Sequence, residues 1–275
     1  MAEFADFTEE SLRALEKRIG LKLTIIDNNG VFNRKQRTRV FTYYRSTHRK
    51  NAVCACGFDE KCVEHCRFAM NKICMDADLP FFSTCWKQVS QIVVPLKFNS
   101  IHYGMLYAGM FRENGAKIPT DLPPVFQTAF ENLPLRNSLP MEELFPLLQI
   151  FADGIIFYLR KMNIVNDEYD LRSAKILDFI NQHLPENEGL PALAEMLSLS
   201  ESHTSVLVRR LFGVTFSQLQ MRLRSERAAH YLLSTDLPLH RIAPLCGFSN
   251  EFHFSRVFRK IKGCAPGIFR KTNMK

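Results

Sequence analysis

The sequence predicts two domains of different class: an α+β domain over residues 1–165 and an all-α domain with two helix-turn-helix units over residues 166–275. Three observations predict it. With 275 residues, 46% hydrophobic and 11% aromatic, the chain has enough apolar side chain for two cores. Charge is divided unevenly, because from Leu171 onward 15 Lys and Arg face 8 Asp and Glu, which is +7 of the total +8. The back half also repeats itself, whereas the front half does not.

The repeat is visible in "LPALAEMLSLSESHTSVLVRRLFG" and "LPLHRIAPLCGFSNEFHFSRVFRKIKG". Each copy has an apolar-Ala pair, Leu193-Ala194 and Ile242-Ala243, a Ser six residues after that Ala, and an amphipathic run ending in basic residues and a Gly. Both read as helix, tight turn, helix. Ser200 and Ser249 are the expected N-caps, and Gly247 suits a turn that needs positive φ. In the second copy Phe254, Phe258 and Ile261 share one face at helical spacing, leaving Glu251, Ser255, Arg256 and Arg259 outward. That polar face carries the groups a major groove requires: Arg for guanine, Glu for the cytosine amino group, Ser for either. Between the copies, "SQLQMRLRSERAAHYLLSTD" reads as one amphipathic helix with Arg222, Arg224 and Arg227 available. Cys246 and Cys264 read as small apolar residues.

These residues resemble the DNA-binding domain of AraC/XylS-type transcription regulators, whose signature "IA…GF…FSR.F…G..P…R" is followed by "IAPLCGFSNEFHFSRVFRKIKGCAPGIFR". The resemblance implies two helix-turn-helix units on one linker helix, entering successive major grooves about one helical turn, or ~34 Å, apart. It assigns DNA contacts to Asn250, Glu251, Phe252, Ser255, Arg256 and Arg259 in the second unit, with Arg256 as leading base reader and a phosphate contact as its alternative. The first unit departs from the pattern, since Thr204 and Val208 replace Leu and Phe and Val206 stands where an Arg is common. Ser202 and Ser205 remain as readers there, and Arg209 and Arg210 as backbone clamps.

The front half reads differently. "LKLTIIDNNGVF" carries a hairpin signal at Asn28-Asn29-Gly30, and "SQIVVPLKFNSIHYGMLYAGMF" is two β-rich segments joined at Asn99-Ser100. "DEKCVEHCRFAMNKIC" reads as a helix, and Met141–Asn163 as a long closing helix with a stripe of Leu144, Leu147, Leu148, Phe151 and Ile155. The expected layout is a sheet covered on one face. The basic run from Arg34 to Lys50 reads as a solvated face or strand edge.

The stretch "CACGFDEKCVEHC" places four of eight cysteines in thirteen residues. The N-terminus lacks the basic flank of a secretory signal, and the apolar stretch "LLQIFADGIIFYL" is too short for a bilayer and interrupted by Asp153. A soluble, cytoplasmic protein without membrane attachment is expected, and in that compartment clustered thiols point to metal ligation or redox chemistry rather than disulfides. Cys62 and Cys66 lie one helical turn apart, so Cys56, Cys62, Cys66 and Cys85, with Cys54 as substitute, form a candidate zinc or iron–sulfur site. A redox or ligand-contacting role and plain packing are the alternatives. Phe82, Trp86, Tyr103 and Tyr107 are candidate walls of a small-molecule pocket, with sheet core as the alternative.

This half resembles the PocR-type sensory domain, a PAS-like module found ahead of AraC-type regions, over Leu12 to Met162. The matching residues are "TIIDNNG", the Cys56-x5-Cys62-x3-Cys66 spacing and "PFFSTCWKQVSQIVVPLKFNSIHYGMLYAGM", with Trp86 in place of the usual His and Gln88 in place of a Gly. Catalytic triads, phosphate loops and zinc-hydrolase signatures are lacking, so no enzyme is expected. The combined resemblance implies a transcription regulator with double-stranded DNA and a small organic effector as partners, with RNA polymerase added if it is an activator, and a homodimer through the long helix is open. A metal or redox sensor and a Cys-zinc alkyl-accepting protein are the alternatives.

Overall fold

Residues 89–112 form a hairpin from which the first unit is built. Strand-forming side chains run through β3 (Val89–Phe98) and β4 (Ile101–Arg112), and the link between them, Asn99 and Ser100, has φ of 50° and 62°. Two successive positive φ angles are those of a two-residue turn whose twist matches that of the strands. Both strands are buried along nearly their whole length, which requires cover on both faces rather than the one expected.

The computed structural model describes residues 2–27, 32, 41, 45–57, 59–162, 171–186 and 188–273. By compactness the chain divides into Met1–Asp167 and Glu168–Lys275. In the first unit α1 (Ala2–Ile19) leads to β1 (Lys22–Ile26), then come α2 (Ala52–Ala55), α3 (Glu60–Val63), a π-helical segment Glu64–Ala69, α4 (Met70–Asp76), β2 (Phe81–Thr84), β3, β4, α5 (Pro124–Glu131) and α6 (Met141–Lys161). The four strands form one antiparallel sheet in the order β1-β4-β3-β2. Of the expected first hairpin, β1 is present and pairs with β4, while the turn at 28–30 lies outside the described residues.

The two faces of the sheet follow from strand alternation. Phe81, Val93 and Tyr107 are cross-strand partners and pack with Met70 and Cys74 of α4. Phe82 points the opposite way and meets Phe145 of α6, with ring centroids 4.8 Å apart. Leu144, Leu148, Ala152, Ile155, Ile156 and Leu159 of α6 are buried. Leu144, Leu148 and Ile155 of the predicted stripe therefore belong to the core, and Leu147 faces outward.

A buried ion cluster holds α1 to this sheet. The Arg45 guanidinium donates to Glu9, to Glu16 at 2.6 Å and to the Leu23 carbonyl at 2.8 Å. Arg45 is 2% exposed, so this part of the basic run is interior rather than a solvated face. Burial raises the Glu9 carboxyl, but its hydrogen bonds and charge contacts with Arg45 and Arg13 outweigh that and hold it below the usual range.

The second unit is helical throughout the described residues: α7 (Leu171–Gln182), α8 (Leu190–Met196), α9 (Glu201–Phe212), α10 (Phe216–Ser234), α11 (Leu239–Leu245), α12 (Glu251–Lys262) and α13 (Pro266–Asn273). The central α10 opens with a reciprocal capping box between Thr215 and Gln218. No described helix of either unit is long and apolar enough to cross a membrane.

Candidate nucleic-acid interface

Helices α9 and α12 are built alike. At the start of α9 the Ser200 hydroxyl accepts from the His203 N–H at 3.3 Å, and at the start of α12 the Asn250 carboxamide oxygen accepts from the His253 N–H at 2.8 Å. Each helix ends on a left-handed glycine, Gly213 at φ 68° and Gly263 at φ 83°. The cap of α12 is Asn250 rather than Ser249, because the second turn is one residue longer. Ser249 instead lies 3.3 Å from the His253 ring. Matching the caps aligns Ser202 with Phe252, Ser205 with Ser255, Val206 with Arg256 and Arg209 with Arg259.

Each helix buries an apolar stripe and leaves a polar face outward. In α12 Phe254 and Phe258 are fully buried, stacked edge-on at 5.5 Å, and Phe258 meets Phe269 of α13 at 5.3 Å. Burial of such a ring stabilises by roughly 1.5–3 kcal/mol, which fixes the rotation of α12 about its axis. Arg256 and Arg259 are then exposed, Glu251 and Ser255 half-buried, and Phe252 is 79% exposed. In α9 Thr204, Leu207 and Val208 face inward, while Ser202, Ser205, Arg209 and Arg210 are exposed and Val206 is 67% exposed. All ten candidate DNA-contacting residues thus lie on or beside these two helices. Of them Asn250 spends its side-chain oxygen on the cap, which leaves its amino group as a donor.

The linker helix offers less than its sequence promised. Arg224 and Arg227 are buried in α10, so of its three arginines Arg222 is the exposed one. Arg224 Nη2 approaches the Leu184 carbonyl at 3.4 Å, and burial lowers its guanidinium pKa. Spacing alone did not separate these arginines, since a helix surrounded on most sides buries polar as well as apolar positions. The signature's final Arg is also structural: Arg270 donates to the carbonyls of Leu232 at 3.1 Å and Leu237 at 2.5 Å, closing α13 onto the end of α10. Lys262 meets Glu226 of α10 at 2.5 Å.

The candidate sensor residues of the first unit each have contacts of their own. Tyr103 and Tyr107 are both 1% exposed. The Tyr107 hydroxyl donates to the Cys66 carbonyl at 2.5 Å, whereas Tyr103 bonds Arg160 of α6. Phe82 lies between Phe145 and the Arg136 guanidinium. Trp86 stands beneath the Lys61 and Lys87 ammonium groups, 5.1 and 5.2 Å from its ring centre.

The cysteines divide in the same way. Cys56 is turned to its own helix, with its thiol 3.2 Å from the Ala52 carbonyl, and so leaves the predicted set. Cys54, Cys62, Cys66 and Cys85 are buried near one another. Burial raises each of their thiol pKa values, and for Cys54 and Cys66 the neighbouring sulfurs raise it further. Two of them have side-chain partners: Cys54 meets the Met110 sulfur at 3.3 Å, and Cys66 accepts from Gln91 at 3.8 Å. Among the described residues no group of three or more His, Cys, Asp or Glu is drawn together tightly enough to hold a metal ion.

Sequence reasoning missed Lys87. It is 1% exposed and donates to the carbonyls of Cys56 and Gly57 at 2.8 and 2.6 Å, pinning the loop before α3. An isolated Lys in a polar-looking turn carries no sequence signal of burial.

Residues 193–272 match the family described as a helix-turn-helix domain. The chain is 31% identical over 96 residues to a probable transcriptional regulator, LumQ, of Photobacterium leiognathi, covering 35% of this chain and 39% of that one. It is 30% identical over 117 residues to the arabinose operon regulatory protein of Escherichia coli, covering 41% and 40%. With the uncharacterized HTH-type transcriptional regulator YisR of Bacillus subtilis it shares 26% identity over 166 residues, covering 58% and 54%. Among solved structures, the C-terminal domain of AraT, a response regulator from Geobacillus stearothermophilus, is 32% identical with a TM-score of 0.36, covering 38% of this chain and 88% of that one. The chain spans about two fifths of the first two relatives. The C-terminal unit is an all-helical helix-turn-helix domain, similar in sequence to that of the arabinose operon regulatory protein.

Proposed function

We propose that this chain is a transcription regulator that binds double-stranded DNA at specific sequences and whose activity is set by a small metabolite acting on the N-terminal unit. The observation that carries the DNA-binding half is the likeness of α9 and α12: two helices capped at matching positions, rotated by their buried stripes so that Ser202, Ser205 and Arg209 on one and Ser255, Arg256 and Arg259 on the other face outward. Arg256 reads a base edge, and Arg209, Arg210 and Arg259 clamp phosphates. Glu251 and Ser255 supply the shorter contacts. The likeness to proteins named as regulators supports the same reading.

The sensing half rests on the resemblance of residues 12–162 to PocR-type, PAS-like domains. Effector binding changes the DNA affinity of the whole chain by favouring one of its conformations.

Selection of bound duplexes from a random pool tests the first half, and a panel of small alcohols and organic acids, scored by the shift in operator affinity, tests the second. The reading expects one enriched, asymmetric site with two contacted clusters about one helical turn apart. Recovery of an unenriched pool contradicts it.

A further inference from the structure

Two large apolar side chains stand in water on the outward faces of α9 and α12. Among the described residues of the second unit, Phe252 at 79% and Val206 at 67% are the most exposed large apolar side chains. Single exposed apolar residues are ordinary on a protein surface, but the position of these two is not. Phe252 and Arg256 lie one turn apart on α12, as Ser202 and Val206 do on α9. The matched caps align Ser202 with Phe252 and Val206 with Arg256. At two equivalent positions, each helix thus carries one polar and one apolar side chain, in opposite order.

Positive charge frames both. Arg209 and Arg210 are exposed one turn beyond Val206, and Arg256 and Arg259 are exposed beyond Phe252. An apolar side chain set among arginines suits the DNA major groove better than an apolar protein surface. There the arginines meet phosphates or guanine while the apolar group meets a base edge.

Resting on the DNA-binding reading above, we propose that Val206 and Phe252 each pack on the 5-methyl group of a thymine. That methyl is the apolar group a base pair presents in the major groove, and Phe is among the side chains that read it. The bound site then carries a thymine close to the base read by Arg256. It carries a second thymine under α9, about one helical turn away. Because the polar and apolar positions are exchanged between the helices, the two halves of the site differ and the site has a direction.

The test uses the full chain and a duplex chosen from a random pool, in which each thymine is replaced singly by deoxyuridine. That exchange removes the methyl and keeps the pairing and the O4 acceptor. Wild type is expected to lose about fourfold in affinity at one position in each contacted cluster, equivalent to the ~0.8 kcal/mol of one buried CH2 group. Phe252→Ala should bind the all-thymine site more weakly and become indifferent to deoxyuridine at the position under α12 alone. Val206→Ala should do the same under α9 alone. An enriched site without thymine in the contacted clusters, or one indifferent to every deoxyuridine, overturns this proposal and leaves the DNA-binding reading standing. A deoxyuridine loss that persists in both variants overturns it too, since DNA shape rather than these side chains then senses the methyl. Variants that bind DNA as wild type does but fail in transcription would assign the two side chains to a protein partner instead. A pool without enrichment overturns both readings together.

Discussion

Gly247 touches the backbone of Leu184: a Cβ built on Gly247 would lie 2.0 Å from the Leu184 carbonyl oxygen and 3.0 Å from Arg224 Nε. The contact joins the turn of the second helix-turn-helix unit to the segment after α7, and the φ of 77° at Gly247 adds strain to any ordinary side chain placed there. Gly247→Ala should therefore destabilise the C-terminal unit by roughly 3 kcal/mol or more. Gly213, at φ 68° with open space around it, is the control, and Gly213→Ala should cost only about 1 kcal/mol. Denaturant midpoints of the two variants decide this, and equal losses would show that the Leu184 contact is relieved by movement.

The first unit uses a different residue for the same turn. Ser198, with φ of 54°, occupies the place of Gly247, and like it is followed by a residue whose N–H donates to the small alanine of the preceding helix: Leu199 to Ala194 and Phe248 to Ala243, each at 2.9 Å. A serine held left-handed is strained, so Ser198→Gly should raise stability by about 0.5–1 kcal/mol. A lower unfolding temperature for this variant would mean that the serine makes a compensating contact.

Stability should fall on the acid side of neutrality. His48 is buried against Tyr107, with Lys50, Arg67 and His65 around it, and burial first and those charges second lower its pKa to about 3. His102, bound to Asn71, is lowered to about 4 by burial and by Lys97. Both are neutral in the fold yet titrate near 6.5 when unfolded, so the unfolded chain binds more protons below that pH. Stability present above pH 6.5 is lost towards pH 4, with a slope of up to about 1.4 kcal/mol per pH unit for each site. Lys50 acts in the same direction at higher pH. Burial first, then Arg45 and Lys22 against the opposing Glu16 and Glu9, lowers it to about 7, so stability continues to rise from there towards the unfolded value near 10.4. Denaturation curves across this range test the sign, and a maximum near pH 5 would contradict it.

Thiol reactivity should follow burial. Cys56 and Cys264 are partly exposed, whereas Cys54, Cys62, Cys66, Cys74, Cys85 and Cys246 are buried. Burial pushes Cys74 up to about 12. A disulfide reagent at neutral pH should modify two thiols quickly and the other six only on unfolding. Cys56→Ser should remove one fast thiol, and rapid reaction of Cys54 or Cys66 would show that the sheet opens there.

The C-terminal unit was legible because its constraints are local. Caps, the left-handed glycines and the spacing of Phe254 and Phe258 are written within each helix. What spacing left open was the environment of α10, whose Arg224 and Arg227 are buried, Arg224 beside Leu184 after α7 and Gly247 and Phe248 before α12. In the N-terminal unit the strands were legible for the same local reason, down to the turn at Asn99-Ser100. Whether an aromatic side chain lines a pocket or fills a core depends on which helix covers each face. Tyr103 and Tyr107 are indistinguishable in sequence and meet different helices in the fold. The cysteine spacing likewise could not show that Cys56 faces the Ala52 carbonyl.

The central claim is that α12 reads sequence through Arg256, and its most direct test is the affinity of wild type and Arg256→Ala for every single-base variant of a selected site. The account predicts that the variant loses discrimination at one base pair, a change of about 1–3 kcal/mol there, and keeps it elsewhere. A uniform loss at all positions would make Arg256 a phosphate contact, and a wild type that binds every variant equally would contradict sequence-specific recognition itself.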